Sequence, residues 1–134
     1  MHPAAFKKSE RLTNKKIFEE LFSRGNSFAA PPFRLVWLGS GLRGSLKRES
    51  LCEAGFSVPK RSFARAVDRN LIKRRIREAY RKNKHLLYGV LEKTNLPIAL
   101  TIIYTAREAM PYVDIEKKMV VSLQKLITQI EKGT

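Results

Sequence analysis

Lys60-Arg61-Ser62-Phe63-Ala64-Arg65-Ala66-Val67-Asp68-Arg69-Asn70-Leu71-Ile72-Lys73-Arg74-Arg75-Ile76-Arg77-Glu78-Ala79-Tyr80-Arg81-Lys82-Asn83-Lys84 is the stretch around which the rest of the chain is organised. Eleven cations stand here against two carboxylates, Asp68 and Glu78, and the stretch supplies nine of the fifteen net positive charges of a 134-residue chain. At about 100° per residue, Ile72, Ile76, Ala79 and Tyr80 gather into one apolar stripe, bordered by a polar stripe of Arg69, Asn70, Lys73, Arg74, Arg77 and Arg81. The pattern predicts an amphipathic helix from about Phe63 to Lys84. Arg69, Lys73 and Arg77 repeat every fourth residue, about 6 Å apart along the axis, near the spacing of successive phosphates. Like charges at this spacing weaken an isolated helix, so a repeated row points to a polyanionic ligand. A solvated face that only aids solubility is the competing reading. Arginine outnumbers lysine in the stretch, and the planar guanidinium suits bidentate phosphate contacts. Asn70 interrupts the run with a group able to bond a 2′-hydroxyl, a base edge or a neighbouring backbone atom.

Upstream, Leu51 to Val58 reads as a strand that Pro59 ends. Gly39 to Ser50 reads as a flexible loop rich in Gly, Ser and Arg, and Ser27 to Leu38 as extended chain whose start Pro31-Pro32 confines to an edge. Thr13 or Asn14 can cap a helix to about Ser23, closed at Gly25. Residues 1–10 read as a basic arm that orders only when bound. Downstream, Leu86 to Leu96 is a weakly helical connection. Pro97 to Thr105 is almost continuously apolar and β-branched, the mark of a strand covered on both faces. Pro111 marks a turn, and Asp114 can cap a last helix to about Glu131 carrying Ile115, Met119, Leu123, Leu126, Ile127 and Ile130 on one stripe. Residues 132–134 are left as a tail. The order helix, two or three strands, helix, strand, helix predicts one α+β domain over residues 1–134, with helices packed on a single sheet.

An apolar content of 43% supports a core, and a pI near 10.4 favours nucleic acid over an anionic membrane surface as partner. No run approaches the ~20 apolar residues of a membrane span, and the first residues carry no signal-peptide apolar core. One cysteine, Cys52, excludes an internal disulfide and a cysteine zinc cluster, and fits a reducing cytoplasm. The only aspartates, Asp68 and Asp114, fall at expected helix starts, where capping and dipole compensation account for them. His2 and His85 have no evident acid–base partner. No catalytic residue and no metal ligand set is therefore assigned. Phe18 and Phe22, four residues apart, share a helix face. They are either core residues or the wall of a groove that stacks single-stranded bases, with Arg34 and Val36 as its floor.

Arg69-Asn70-Leu71-Ile72-Lys73-Arg74, preceded by Ala66-Val67 and followed by Arg77, resembles the arginine-asparagine signature of the bacterial ribonuclease P protein component. Arg11-Leu12 leading to Phe18, Phe22 and Gly25 is similar to that family's first helix, and Gly55-Phe56-Ser57-Val58-Pro59-Lys60-Arg61 to the strand entering the signature. The likeness runs from about residue 7 to 131. Three positions depart from it. Leu71 stands where a third basic residue is frequent, Ser62-Phe63-Ala64 replaces a glycine turn, and Arg34 replaces an apolar groove residue. The resemblance implies a mostly antiparallel four-stranded sheet in the order α-β-β-β-α-β-α, with a left-handed β-α-β crossover against the usual hand. It implies an RNA-binding subunit of an endoribonuclease whose catalytic RNA removes the 5′ leader of precursor tRNA, with Mg²⁺ held by RNA and substrate. The basic helix, through Arg65, Arg69, Asn70, Lys73, Arg74, Arg77 and Arg81, would meet the catalytic RNA. A cleft of Phe18, Phe22, Arg34, Val36, Lys60 and Arg61 would hold the leader. The implied setting is cytoplasmic, with no membrane and no obligate protein partner. A structural rRNA-binding protein of the ribosome is the alternative, and a duplex-DNA regulator and a protein-only nuclease are weaker ones. The missing partner helix argues against the regulator, and the scarcity of carboxylates against the nuclease.

Overall fold

The fold was analysed in a computed structural model that describes residues 5–39, 51–95 and 97–133. Strand β4 (Ile98–Tyr104) lies inside the sheet, as its apolar run demands, with six of its seven residues buried. It runs antiparallel to β2 (Phe33–Leu38) and parallel to β3 (Cys52–Ser57), and β1 (Asn26–Ala30) pairs antiparallel with β2, giving the order β1-β2-β4-β3. The expected single extended run from Ser27 to Leu38 is thus a hairpin of two strands that turns at Pro31-Pro32. Proline cannot donate to a ladder, so the pair falls where the chain leaves the sheet. Parallel strands need a crossover, and the link from β3 to β4 is helical: α2 (Ala66–Asn83) followed by α3 (His85–Thr94).

Alternation along the strands separates the two faces. Phe33, Leu35 and Trp37 join Cys52, Ala54, Ile98, Leu100, Ile102 and Tyr104 in the larger core. There they meet Ile72, Ile76, Ala79 and Tyr80 of α2, Leu87 and Leu91 of α3, and the stripe Ile115, Met119, Leu123, Leu126 and Ile130 of α4 (Tyr112–Gly133). Each fully buried aliphatic side chain contributes roughly 1.5–3 kcal/mol, so this stripe fixes α4 on the sheet. Trp37 Nε1 donates to Gln129 Oε1 at 2.8 Å and ties β2 to the same helix. The opposite face carries a smaller core in which Ile17 and Leu21 of α1 (Lys15–Arg24), with Leu12, cover Val36, Leu38 and Ala99. Asn14, one of two expected caps, accepts from the Lys16 amide at 2.9 Å. At Gly25 a Cβ would fall 2.3 Å from the Leu21 carbonyl oxygen and 2.9 Å from Val36 Cγ1, so only glycine lets the end of α1 come this close to β2.

Several boundaries differ from expectation. The basic helix begins at Ala66 rather than Phe63, because the Ser62 and Phe63 amides donate to the Pro59 carbonyl in a turn and Phe63 packs on Tyr104, ring centres 6.0 Å apart. Residues 85–94 form a true helix, since Leu87, Tyr88 and Leu91 are buried against the main core. Asp114 does not cap α4. It lies in the first turn, and the Asp114 and Ile115 amides donate to Pro111. The expected tail loses Lys132 and Gly133 to α4. The basic arm is corrected as well. Lys8–Glu10 form a 3₁₀ turn, Glu10 is buried, and Leu12 donates its amide to the Ala54 carbonyl at 3.0 Å along the β3 edge. The rest of the expected loop beyond Gly39, residues 40–50, lies outside the described residues, as do residues 1–4 and 134.

Candidate nucleic-acid interface

The apolar stripe of α2 decides where its cations go. With Ile72, Ile76, Ala79 and Tyr80 fully buried, Arg65, Asn70, Arg74 and Arg77 stand exposed, and Arg69, Lys73 and Arg81 are half-buried along the margins. The row inferred from periodicity is therefore divided. Arg69 Nη1 donates to the carbonyls of Phe63 and Ala64, both at 2.8 Å, and holds the turn that enters the helix. Arg81 grips Glu78 through Nε and Nη2, both at 2.8 Å. That hydrogen bond holds the Glu78 carboxyl below the usual carboxylate range. Arg75 Nη1 reaches the Met110 carbonyl at 2.7 Å and anchors the approach to α4. Lys82 lies over the Tyr112 ring at 5.7 Å. Among the described residues, Lys60, Arg61, Arg65, Lys73, Arg74 and Arg77 enter no ion pair. Lys60 and Arg61 are exposed on the connection from the end of β3 to α2. Two aliphatic side chains, Val67 and Leu71, stand exposed among these cations, one turn apart.

The other face of the sheet, where α1 covers Val36, Leu38 and Ala99, carries a further candidate surface. The row Arg34, Ile103, Ser57 crosses β2, β4 and β3 in register and is exposed at both ends. Arg34 Nη1 is held by Ser27 Oγ at 2.7 Å. Phe18 and Phe22 share a face of α1 but differ in environment. Phe18 is half-buried over Gly55, where a Cβ would stand 3.2 Å from its ring, whereas Phe22 is 63% exposed. With Lys15, Glu19 and Ser23 the two rings line an open concavity of about 600 Å³. A second, polar concavity of about 570 Å³ is lined by Arg61, Ser62, Thr105 and Arg107. Val36 is corrected as a groove residue. It is only 5% exposed and packs under α1 with Leu12, Ile17 and Leu21, because Gly25 brings the helix directly onto it.

Sequence reasoning missed Ser57, Ile103, Ser62, Thr105 and Arg107 in this setting. Ser57 and Ile103 join Arg34 only through the strand order β2-β4-β3, which no local pattern encodes. Arg107 carried the signal of a lone cation after a strand, too common to single out.

Cys52 is buried, and burial pushes its thiol up to about 12, so it stays protonated at neutral pH. Among the described residues no group of three or more His, Cys, Asp or Glu side chains converges as a metal site, and no helix is long and apolar enough to cross a membrane. The chain offers cations in two places, the outer face of α2 and the Arg61–Arg107 concavity, and an aromatic ring beside a sheet floor in a third.

Comparison with known proteins agrees with this fold. A family model described as Ribonuclease P matches residues 6–130. A ribonuclease P protein component from Porphyromonas gingivalis is 36% identical over 126 residues, covering 92% of this chain and 89% of its own. The RNase P protein from Thermotoga maritima superposes with a TM-score of 0.64 at 22% identity, over 87% of this chain and 96% of that one. The Staphylococcus aureus RNase P protein superposes with a TM-score of 0.60 at 23% identity, over 93% and 97%.

Proposed function

Since this chain belongs to the ribonuclease P protein component family, we propose that it is the RNA-binding subunit of a ribonucleoprotein that removes the 5′ leader of precursor tRNA in the cytoplasm. Its partners are the catalytic RNA, through α2, and the single-stranded leader, through the groove between α1 and the sheet. The observation that carries the reading is the outer face of α2, where Arg65, Asn70, Arg74 and Arg77 are exposed on a helix whose inner stripe is fully buried. A rigid scaffold that presents guanidinium groups at fixed spacing supplies phosphate contacts with little ordering cost. Counterions displaced from RNA add to the affinity and make it salt-dependent.

The groove offers different chemistry. Phe22 presents an exposed ring on which an unpaired base can stack. Arg34, exposed on β2, and the Arg61–Arg107 concavity supply positive charge for the leader backbone. No bond-breaking step is assigned to a side chain. Mg²⁺, held by RNA and substrate, supplies the electrophilic and nucleophilic chemistry when bound, and the protein's own residues bind and orient. Membership of the enzyme is as a subunit of the endoribonuclease, with no obligate protein partner and no membrane involved.

Reconstitution tests the proposal. Precursor tRNA is incubated with the protein, with the cognate catalytic RNA, and with both, at low and high Mg²⁺. Cleavage should need the RNA in every case, and the protein should lower the Mg²⁺ requirement. Cleavage by protein free of nucleic acid, or no effect of the protein on the RNA, would refute it.

A further inference from the structure

Glu10 and Lys84 are 74 residues apart in sequence and form a buried ion pair. Lys84 is 4% exposed and Glu10 6%, and Lys84 Nζ donates to Glu10 Oε2 at 2.5 Å. The same ammonium donates to the Ala5 carbonyl at 2.6 Å and lies 5.2 Å from the centre of the Tyr88 ring. Glu10 also accepts from Tyr88 Oη at 2.6 Å and from the Lys7 amide at 3.2 Å. Phe6 seals this cluster, its ring 5.6 Å from Phe56 and 5.8 Å from Tyr80. A buried pair gains little over apolar packing of the same volume, but this one joins residue 10 to the end of α2 in one geometry.

That geometry connects the two candidate RNA surfaces. Lys84 closes the C-terminal end of α2, the helix of the proposed catalytic-RNA contact. Glu10 leads directly into Arg11, which bridges Ala54 on the open edge of β3, and into Leu12, whose amide is bonded to the Ala54 carbonyl. Leu12 then enters the small core beneath α1. The next strand residue, Gly55, lies under both Leu12 and Phe18, whose nearest atoms would stand 3.7 Å and 3.2 Å from an added Cβ. Where residues 5–12 are pinned therefore sets where α1 begins, and with it how far Phe18 and Phe22 stand from Ser57 and Ile103.

Resting on the leader-groove reading above, we propose that Glu10 and Lys84 are positioning residues of the leader groove: their ion pair fastens residues 5–12 along the β3 edge and fixes α1 over the sheet. Lys84 on this account is not an RNA contact, although it ends the basic run.

The test uses reconstituted holoenzyme and compares leader-bearing precursor with mature tRNA. The double variant Glu10→Ala/Lys84→Met removes both charges, so no unpaired ion is left buried. Its preference for precursor over mature tRNA should fall about tenfold, the scale of one lost stacking contact. The loss should appear in KM with kcat at saturation unchanged, and the affinity for catalytic RNA should hold. Glu10→Gln keeps one acceptor oxygen for Lys84 and Tyr88 but loses the charge and the acceptor facing the Lys7 amide, so it should retain only part of the preference, more than the double variant does. Tyr88→Phe removes one hydrogen bond to Glu10 and leaves the pair intact; it should lower the preference by about twofold to threefold, and it decides the matter if the double variant does not fold. A folded double variant with unchanged preference overturns the positioning role, as does an equal loss of affinity for precursor and mature tRNA or, should the double variant not fold, an unchanged Tyr88→Phe. Wild-type holoenzyme that binds precursor and mature tRNA alike would instead overturn the groove reading itself.

Discussion

Arg77 and Lys84 stand seven residues apart in one helical run, nearly two full turns and thus almost on the same side of the axis, yet their surroundings are opposite. Arg77 is exposed with no carboxylate partner among the described residues, while Lys84 is buried against Glu10, Tyr88 and the Ala5 carbonyl. Helical periodicity gives both the same angle. What differs is the chain that arrives from elsewhere: residues 5–12 cover one end of the helix and leave the middle open. A run of like charges is therefore not one functional unit. Part of it is available for a polyanion, part holds backbone carbonyls as Arg69 and Arg75 do, and part is structural.

Four measurements test that contrast. The largest effect is expected at the buried end. Lys84→Ala strands the Glu10 carboxylate in the interior and should cost about 3–5 kcal/mol in urea unfolding. Arg77→Ala, on the open face, should stay within about 0.5 kcal/mol. Equal effects at the two positions would erase the distinction. Next is the groove. Phe22→Ala should weaken precursor binding relative to mature tRNA by about 1–3 kcal/mol if a base stacks there, without lowering the melting temperature, since the ring is already exposed. Val36→Ala, a truncation in the small core, should lower stability and leave the precursor preference intact. A smaller effect is expected on the open face of α2, where Arg74→Ala or Arg77→Ala should each flatten the slope of log K against log salt for catalytic RNA by roughly one unit or less. Lys84→Met, combined with Glu10→Ala to keep the protein folded, should leave that slope unchanged.

The least conspicuous effect near neutral pH belongs to Glu10. Burial raises its carboxyl, but hydrogen bonds from Lys84, Tyr88 and the Lys7 amide outweigh burial and hold it below its ordinary value. A carboxyl with a lowered folded-state pKa contributes stability that is complete above the unfolded-state value, about 4.3. That contribution is lost as pH falls through the lower folded value. Wild-type stability should thus decline on the acid side of about pH 4.3, and Glu10→Gln should flatten that acid limb in melts recorded across the range. An acid limb that the substitution leaves unaltered would show that other carboxylates govern it.

Much of this was legible along the chain. The apolar run at 98–104 had to be an inner strand, the stripe on 66–83 had to be a helix seated by Ile72, Ile76, Ala79 and Tyr80, and Gly25 had to end α1. These are local facts, because side-chain periodicity and glycine or proline chemistry act within a few residues. The signature from Arg69 to Arg77 also carried the family. Less legible were Phe18 and Phe22, which the same face placed together and the sheet then separated into a half-buried ring and an exposed one.

The amino-acid order alone determined the inner strand at 98–104, the apolar stripes that seat α2 and α4, and the strongly cationic character of α2, since these follow from spacing and charge. Tertiary structure decided the strand order β1-β2-β4-β3 that brings Arg34, Ile103 and Ser57 into one row, the burial of Val36, and the inward turn of Lys84 to Glu10. Each of those outcomes joins residues far apart in the chain. The energy that selects them comes from desolvation and packing between surfaces that exist only once the local elements have formed.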